Sequence, residues 1–342
     1  MGDRPGGART AGDAGRTRPV RIAIDAMGGD NAPAVEIEGA LAALNEAPFP
    51  LDVVLVGRRD EIERVHRESG AEGPLPEIVH ADDVIGMHEQ PAVAVRKKRR
   101  SSIVVATELQ KNGEVDGLVS AGNTGAVVAS SLLGLGMLPN VRRPGIASLF
   151  PTTGDPAVVV DVGASIDSRP EDLLAFGMMG EAFARFVLGR EEPRVGLVNI
   201  GEEKSKGGER EQRAYELLSK SPLDFVGNVE GGSLFTGAAD VVVTDGFVGN
   251  VMLKLAEGVL HVVLRRLSDT GDGDVLRRRL SELDYAEYGG APLLGVNGVV
   301  IIAHGGSSAK AIKNACMVAS RFVQTDLCGR IVERLQGSDG AA

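Results

Sequence analysis

The sequence predicts a three-layer α/β/α fold built on a mostly parallel sheet, and three observations carry that prediction. Short apolar runs recur along the chain, each ending in glycine, aspartate or asparagine and each followed by residues at helical spacing. The 46 glycines and 4% aromatic content fit many strand-to-helix turns rather than aromatic stacking platforms. At 342 residues the chain is long enough to bury a full core without staples. Its two cysteines, Cys316 and Cys328, sit in a helical pattern and read as reduced, buried thiols, which points to a cytoplasmic location. A net charge of −10 argues against nucleic acid as a partner.

Residues 1–18, rich in glycine and arginine without an apolar stretch, read as a flexible tail. Residues 337–342 read as a second tail, leaving 19–336 as one α/β/α domain. The first strand, 20–24, ends in Asp25; Gly28, Gly29 and Asp30 then turn the chain into a helix over 34–46. Such a turn suits an anion or hydroxyl group, although the spacing does not match GxGxxG and a plain structural turn explains the glycines equally well. Strands at 51–56 and 77–80 flank a helix over 58–68. The loop 82–90 carries Asp82, Asp83, His88 and Glu89, but no second histidine stands at helical spacing, so no metal site is expected. Pro91 opens a helix that runs into Arg96, Lys97, Lys98, Arg99 and Arg100, either a solvated face or a docking patch for an acidic partner.

A helix over 103–111 and a strand at 117–119 lead to Asn123 and a buried helix over 125–138. Residues 240–250 repeat that grammar: a strand, Asp245 and Asn250 in a glycine turn, then a helix. Two such turns are expected to aim backbone N–H groups and one amide each into a shared cleft, though both asparagines also suit left-handed turns. Strands at 146–150 and 157–161 precede a long helix over 171–188. The stretch RVGLVNIGEEKSKGG at 194–208 gives a strand carrying Asn199, then Lys204 and Lys206 on a glycine-flanked loop. At the carboxyl end of a parallel strand that loop is an anion site or an ordinary solvated turn.

A strand at 224–229 comes before the second asparagine turn. Beyond Asn250, a helix to 267, a polar break and a basic segment at 275–283 predict a helical hairpin over about 251–284. Such arms make dimer contacts, so a homodimer is expected. A last strand at 299–303 delivers His304, an acid/base or a buried hydrogen-bonding histidine, before a closing helix over 309–335. The chain lacks GxSxG, GxxxxGK[ST] and CxxC motifs. What remains is glycine turns, two lysines, amides and a histidine, suited to holding a phosphate and polarising a carbonyl.

Eight segments then carry a resemblance. IDAMGGDNAP (24–33), SAGNTGA (120–126), VDVGA (160–164), LVNIGEEKSKG (197–207), FVGNVEG (225–231), VVTDGFVGNV (242–251), YGGAPLLG (288–295) and AHGGSSAKAIKNA (303–315) stand in order. Over about residues 20–335 the chain resembles the acyl-ACP:phosphate acyltransferases of bacterial phospholipid synthesis, the PlsX family. The resemblance implies attack of inorganic phosphate on the thioester of a long-chain acyl–acyl carrier protein. It implies a homodimer, a fold similar to the isopropylmalate dehydrogenase and phosphotransacetylase group, and no cofactor. Carried over by position, Lys206 and Asn250 are the expected catalytic residues, with His304 a proton donor to the leaving thiol. Asp25, Gly28, Gly29, Asn123, Asn199, Lys204 and Asp245 are expected around the substrate. Acyl carrier protein is acidic, so Arg96 to Arg100, joined by Arg142 and Arg143, become its expected docking surface. Family members use an apolar hairpin tip for peripheral membrane contact; here the tip, SDTGDGD at 268–274, is acidic, so only weak membrane contact is expected.

Overall fold

The computed structural model describes residues 18–70, 73–267 and 289–338. Eleven strands form one sheet: β1 (Val20–Asp25), β2 (Leu51–Gly57), β3 (Glu77–His80), β4 (Gly117–Ser120), β5 (Gly145–Phe150), β6 (Ala157–Val160), β7 (Arg194–Val198), β8 (Asp224–Val229), β9 (Val241–Val243), β10 (Ala291–Leu294) and β11 (Val299–Ile302). Their order is β3-β2-β1-β4-β11-β10-β5-β6-β9-β7-β8.

Each strand is apolar on both sides because both faces are covered. Ile22, Ile24, Val53, Leu55, Val158, Val160, Val241 and Val243 enter one core, while the intervening Ala23, Val54, Val159 and Val242 enter the other. The alternation is the period of two that a pleated strand imposes. The first core is closed by α1 (Ala34–Glu46), α2 (Arg59–Ser69), α6 (Pro170–Phe186), α7 (Glu209–Lys220), α10 (Ala309–Gln324) and α11 (Leu327–Ser338). The second is closed by α3 (Pro91–Lys97), α4 (Ser102–Asn112), α5 (Thr124–Gly134), the short α8 (Gly231–Leu234) and α9 (Gly246–Leu267). This is the three-layer arrangement expected, with three local differences.

No strand is expected at 291–294, where Pro292 removes a ladder donor. The structure forms β10 there, antiparallel to both β11 and β5. The expected closing helix breaks into α10 and α11 at Asp326, which holds φ at 49°. The helix opened by Pro91 stops at Lys97, so Lys98, Arg99 and Arg100 lie in the turn beyond it. The second arm of the expected hairpin and its acidic tip lie outside the described residues, as does most of the amino-terminal tail.

The consequential feature is direction. β3, β2, β1, β4 and β11 run parallel, as do β6, β9, β7 and β8. Between them lie the antiparallel pairings of β10 with β11, β10 with β5, and β5 with β6. Following the registers across, the second parallel run points opposite to the first. Its carboxyl ends therefore open at the other edge of the sheet.

Candidate active site

Each edge gathers one set of the residues singled out from the sequence. At the carboxyl edge of the first run, Asp25 ends β1 fully buried, accepting from Ser120 Oγ at 2.7 Å and from the Met27 amide at 3.2 Å. Burial pushes its carboxyl above the usual range, against the pull of the Ser102 and Ser120 hydroxyls. Gly28 is required by proximity: a Cβ there would stand 2.6 Å from the Gly122 amide nitrogen and 2.8 Å from Asp25 Oδ2. The Asp30 amide donates to the Gly305 carbonyl at 2.8 Å, tying the first glycine turn to the His304 turn. His304 is exposed, and its Nδ1 accepts from the Gly306 amide at 3.1 Å.

Asn123 belongs to this edge but is not free to hold a substrate. Its Oδ1 accepts from the Ala126 amide at 3.1 Å and caps α5. Its Nδ2 faces the carbonyls of Gly86, Met87 and Glu89 at 3.2, 3.0 and 3.4 Å. The amide thus staples the 82–90 loop to the sheet edge. Those partners are more than thirty positions away in sequence, so a local pattern does not reveal them.

Lys206, Lys204, Asn199, Asp245 and Asn250 sit at the opposite edge, beyond β7 and β9. Its organiser is Asp161, fully buried at the end of β6, whose carboxylate accepts from the amides of Ile146, Gly163, Ala164 and Ser165 at 2.7 to 2.9 Å. The sequence motif VDVGA contains Asp161 but does not mark it for this role; the one signal it carries is an aspartate at a strand end before Gly-Ala-Ser. Burial still pushes its carboxyl upward despite these four donors. Asp245 caps α9, accepting from the Phe247 and Val248 amides at 2.9 and 3.1 Å, and it accepts from Arg210 Nη2 at 2.8 Å. Arg210 joins the first turn of α7, and with it the lysine loop, to the start of α9.

This corrects three expectations. Asn123 and Asn250 do not face each other across one edge: α5 and α9 start from opposite edges of the same sheet face. A strand of four to six residues spans roughly 13 to 20 Å, so a phosphate-sized ion does not touch both. For the same reason His304 is separated from Lys206 and Asn250 within one chain. Nor do the first amides of α9 point at a ligand: the Gly246 amide donates to the Ser165 carbonyl at 3.0 Å, and Asp245 takes the next three.

What this second edge offers an anion is therefore side chains. Lys206 is 44% exposed, with Glu203 at 3.7 Å its ion-pair contact. Lys204 lies over the Tyr215 ring at 5.8 Å. Asn199 locks the loop, accepting from the Ile200 amide at 2.8 Å and donating to the Lys206 carbonyl at 3.2 Å. Asn250 is exposed beside Gly163, whose φ of 139° is a backbone conformation that favours glycine.

The basic run flanks the first edge. Lys98 Nζ donates to the Val84 carbonyl at 2.8 Å and to Glu89 at 2.6 Å, and Arg100 pairs with Asp82, so both brace the 82–90 loop. Arg96, Lys97 and Arg99 stand exposed. Arg142 and Arg143 lie just before β5, whose start is level with the second edge, so they do not extend this patch.

The architecture matches two solved phosphotransacetylases. One from Streptococcus pyogenes aligns with a TM-score of 0.62 at 19% identity, over 88% of this chain and 93% of that one. The EutD phosphotransacetylase from Staphylococcus aureus aligns at 0.60 and 17% identity, over 89% and 94%. At such identities the likeness shows the fold alone. Closer relatives give the class: a phosphate acyltransferase of Heliobacterium modesticaldum is 49% identical over 332 residues, covering 93% of this chain and 98% of that protein. One of Desulforamulus reducens is 48% identical, covering 94% and 99%. Fold and relatives together define an acyltransferase. A family model described as "Fatty acid synthesis protein" matches residues 20–330, and the chain belongs to that family of phosphate acyltransferases.

Proposed function

We propose that this chain moves a long-chain acyl group from acyl carrier protein to inorganic phosphate, producing the acyl phosphate used in phosphatidic acid synthesis. The observation that carries this reading is the Lys204–Lys206 loop. It places two cations and the exposed amide of Asn250 at one strand edge where the neighbouring backbone donors are already engaged. Hydrogenphosphate held there attacks the thioester carbonyl, forming the C–O bond; the C–S bond breaks, and the proton of hydrogenphosphate ends on the departing thiol. Lys206 neutralises the developing charge and Asn250 donates to the carbonyl oxygen. This balance needs no proton from His304.

Charge complementarity supports acyl carrier protein as the donor, because Arg96, Lys97 and Arg99 form an exposed cationic patch on an otherwise acidic chain. That patch lies at the first edge and the lysine loop at the second, a separation suited to an acyl group delivered on a long flexible arm. A homodimer is supported by α9, whose Val251, Leu255, Val259 and Val262 form an exposed apolar stripe at helical spacing. Among the described residues no helix is long and apolar enough to cross a membrane. The segment expected to touch a membrane surface lies outside the described residues.

The test is phosphate-dependent release of carrier thiol from palmitoyl–acyl carrier protein, with acyl phosphate identified as the product. Lys206→Ala is expected to lower the rate by 10²-fold or more, the range for removing one transition-state contact, while leaving the unfolding midpoint unchanged. Release without phosphate dependence, or a fully active variant, overturns the reading.

A further inference from the structure

Glu36 lies in the first turn of α1, where an acidic side chain ordinarily faces water and complements the helix dipole. Here it is 1% exposed. Its Oε1 packs directly on Gly29, where a Cβ would collide with it. Its Oε2 is buried without any hydrogen-bond partner. The side chain thus supports from beneath the glycine turn that Asp30 ties to the Gly305 carbonyl at 2.8 Å.

We propose that Glu36 is a positioning residue for the 27–30 turn, holding it against the 304–306 turn while its carboxyl is protonated and releasing it on ionisation. A carboxylate in that place would be a buried charge with one oxygen unpaired, beside a second buried acid, and its relief is to move toward water. Leaving breaks the contact with Gly29. Burial, aided by the neighbouring Asp25, pushes the Glu36 carboxyl up to about 7, against the pull of the Gly29 and Glu36 amides.

The surrounding elements bring little to offset the charge. β1 contributes Asp25, and the turn contributes Asp30. The facing turn contributes His304, and α10 contributes Lys310 and Lys313, the latter paired with Glu46 at 2.7 Å. At the start of α2, Arg58 donates to the Asp82 carbonyl at 3.2 Å, and Arg59 is held by the Ile78 carbonyl. Arg58 and Arg59 also lie 3.6 Å from Glu61 and Glu63, respectively. At the far end of β1, Arg21 pairs with Asp52 and Glu77.

The sign is therefore fixed: the group is neutral below its midpoint and its contribution to order is lost as pH rises through about 7. The protonated fraction falls about tenfold between pH 6 and pH 8.

The test compares the full-length chain with Glu36→Gln, which keeps an oxygen against Gly29 and cannot ionise. Hydrogen exchange of the 27–31 amides, corrected for intrinsic rates, is expected to lose about tenfold in protection between pH 6 and pH 8 in the parent and to stay level in the variant. If both lose protection in parallel, or neither does, the proposal is overturned. Isotope-edited infrared spectra of the parent at pH 6 are expected to show a protonated-carboxyl band that Glu36→Gln removes; its absence also overturns the proposal. Relevance to catalysis rests on the phosphate acyltransferase reading; the ratio of parent to variant kcat/KM, in which the ionisation of phosphate itself cancels, is then expected to follow the same pH profile. Exchange and infrared data stand without that reading, so inactivity on acyl carrier protein would sink the substrate assignment and leave this inference to its own result.

Discussion

Gly249→Ala tests the second edge most directly. Gly249 sits in the first turn of α9, one residue before Asn250, and a Cβ there would collide with the Asp161 carbonyl oxygen. It would also stand 3.0 Å from the Asp161 carbonyl carbon and 2.9 Å from Thr244 Cγ2. Ordinary carbon contacts are about 3.5 to 4.0 Å, so α9 must retreat by roughly 1 Å from β6. Asp161 has little room to yield, because its carboxylate holds four amides. Overpacking of this kind costs about 1 to 3 kcal/mol or more, which exceeds the gain of about 1 kcal/mol from replacing a helical glycine. A net loss of about 1 to 2 kcal/mol is expected in urea unfolding, where an unchanged slope shows that the folded ensemble is otherwise intact. The same displacement carries the Asn250 amide away from the lysine loop, and a shift of that size can cost about 10²-fold in rate. Gly232→Ala, in the short α8 with nothing within 4 Å of the new Cβ, is the control and should gain up to about 1 kcal/mol. If Gly249→Ala unfolds at the same urea concentration as the parent, the close seat of α9 on Asp161 is wrong.

Asp240 accepts from the Arg194 amide at 2.9 Å and its guanidinium at 3.1 Å, with Arg190 at 3.3 Å. Burial alone would raise its carboxyl, yet these partners hold it below the usual range, so its stabilisation is present above the unfolded value and lost as pH falls through the folded one. Asp240→Asn should cost about 2 kcal/mol near neutrality and progressively less as the carboxyl becomes protonated in acid; equal acid sensitivity in both proteins would contradict this. Reversing Arg96, Lys97 and Arg99 to glutamate should weaken association with acyl carrier protein more than tenfold at low salt and flatten its salt dependence, measured by titration at several ionic strengths. An unchanged salt slope would exclude the patch. The proposed dimer through the α9 stripe requires the parent to sediment as a dimer and Leu255→Lys with Val259→Lys as a monomer; a monomeric parent, or an unaltered species, would show that the stripe is not such a contact.

Local reading located most strands and helices because burial on both faces writes continuous apolar runs such as 53–56, 158–160 and 241–243. It did not supply direction. Whether β6 runs with or against β1 is decided by β10 and the β5–β6 pair, whose sequences carry no mark of orientation, and on that direction depends which residues share an edge. Asn123 and Asn250 look alike in sequence, each an asparagine at a glycine turn before a helix. One is consumed by three distant carbonyls and the other stands free at the surface. Glu36 was invisible for a different reason: an acidic first turn is an ordinary helix start, and only packing beneath Gly29 makes it unusual.

The place of β10 and β11 in the sheet bears on how the chain is made. They are the last two strands in sequence, yet they lie between β4 and β5, at the centre. A nascent chain that has emerged only as far as residue 290 therefore holds two separate sheets, each with a bare interior edge. Those edges are long-range partners that meet only through the final fifty residues, so closure comes after most of the chain is synthesised. Until then β4 and β5 present unpaired backbone, the condition under which strands pair with the wrong neighbour. The carboxyl-terminal segment is in this sense the keystone, and a premature stop near residue 290 removes the join between both halves rather than trimming one of them.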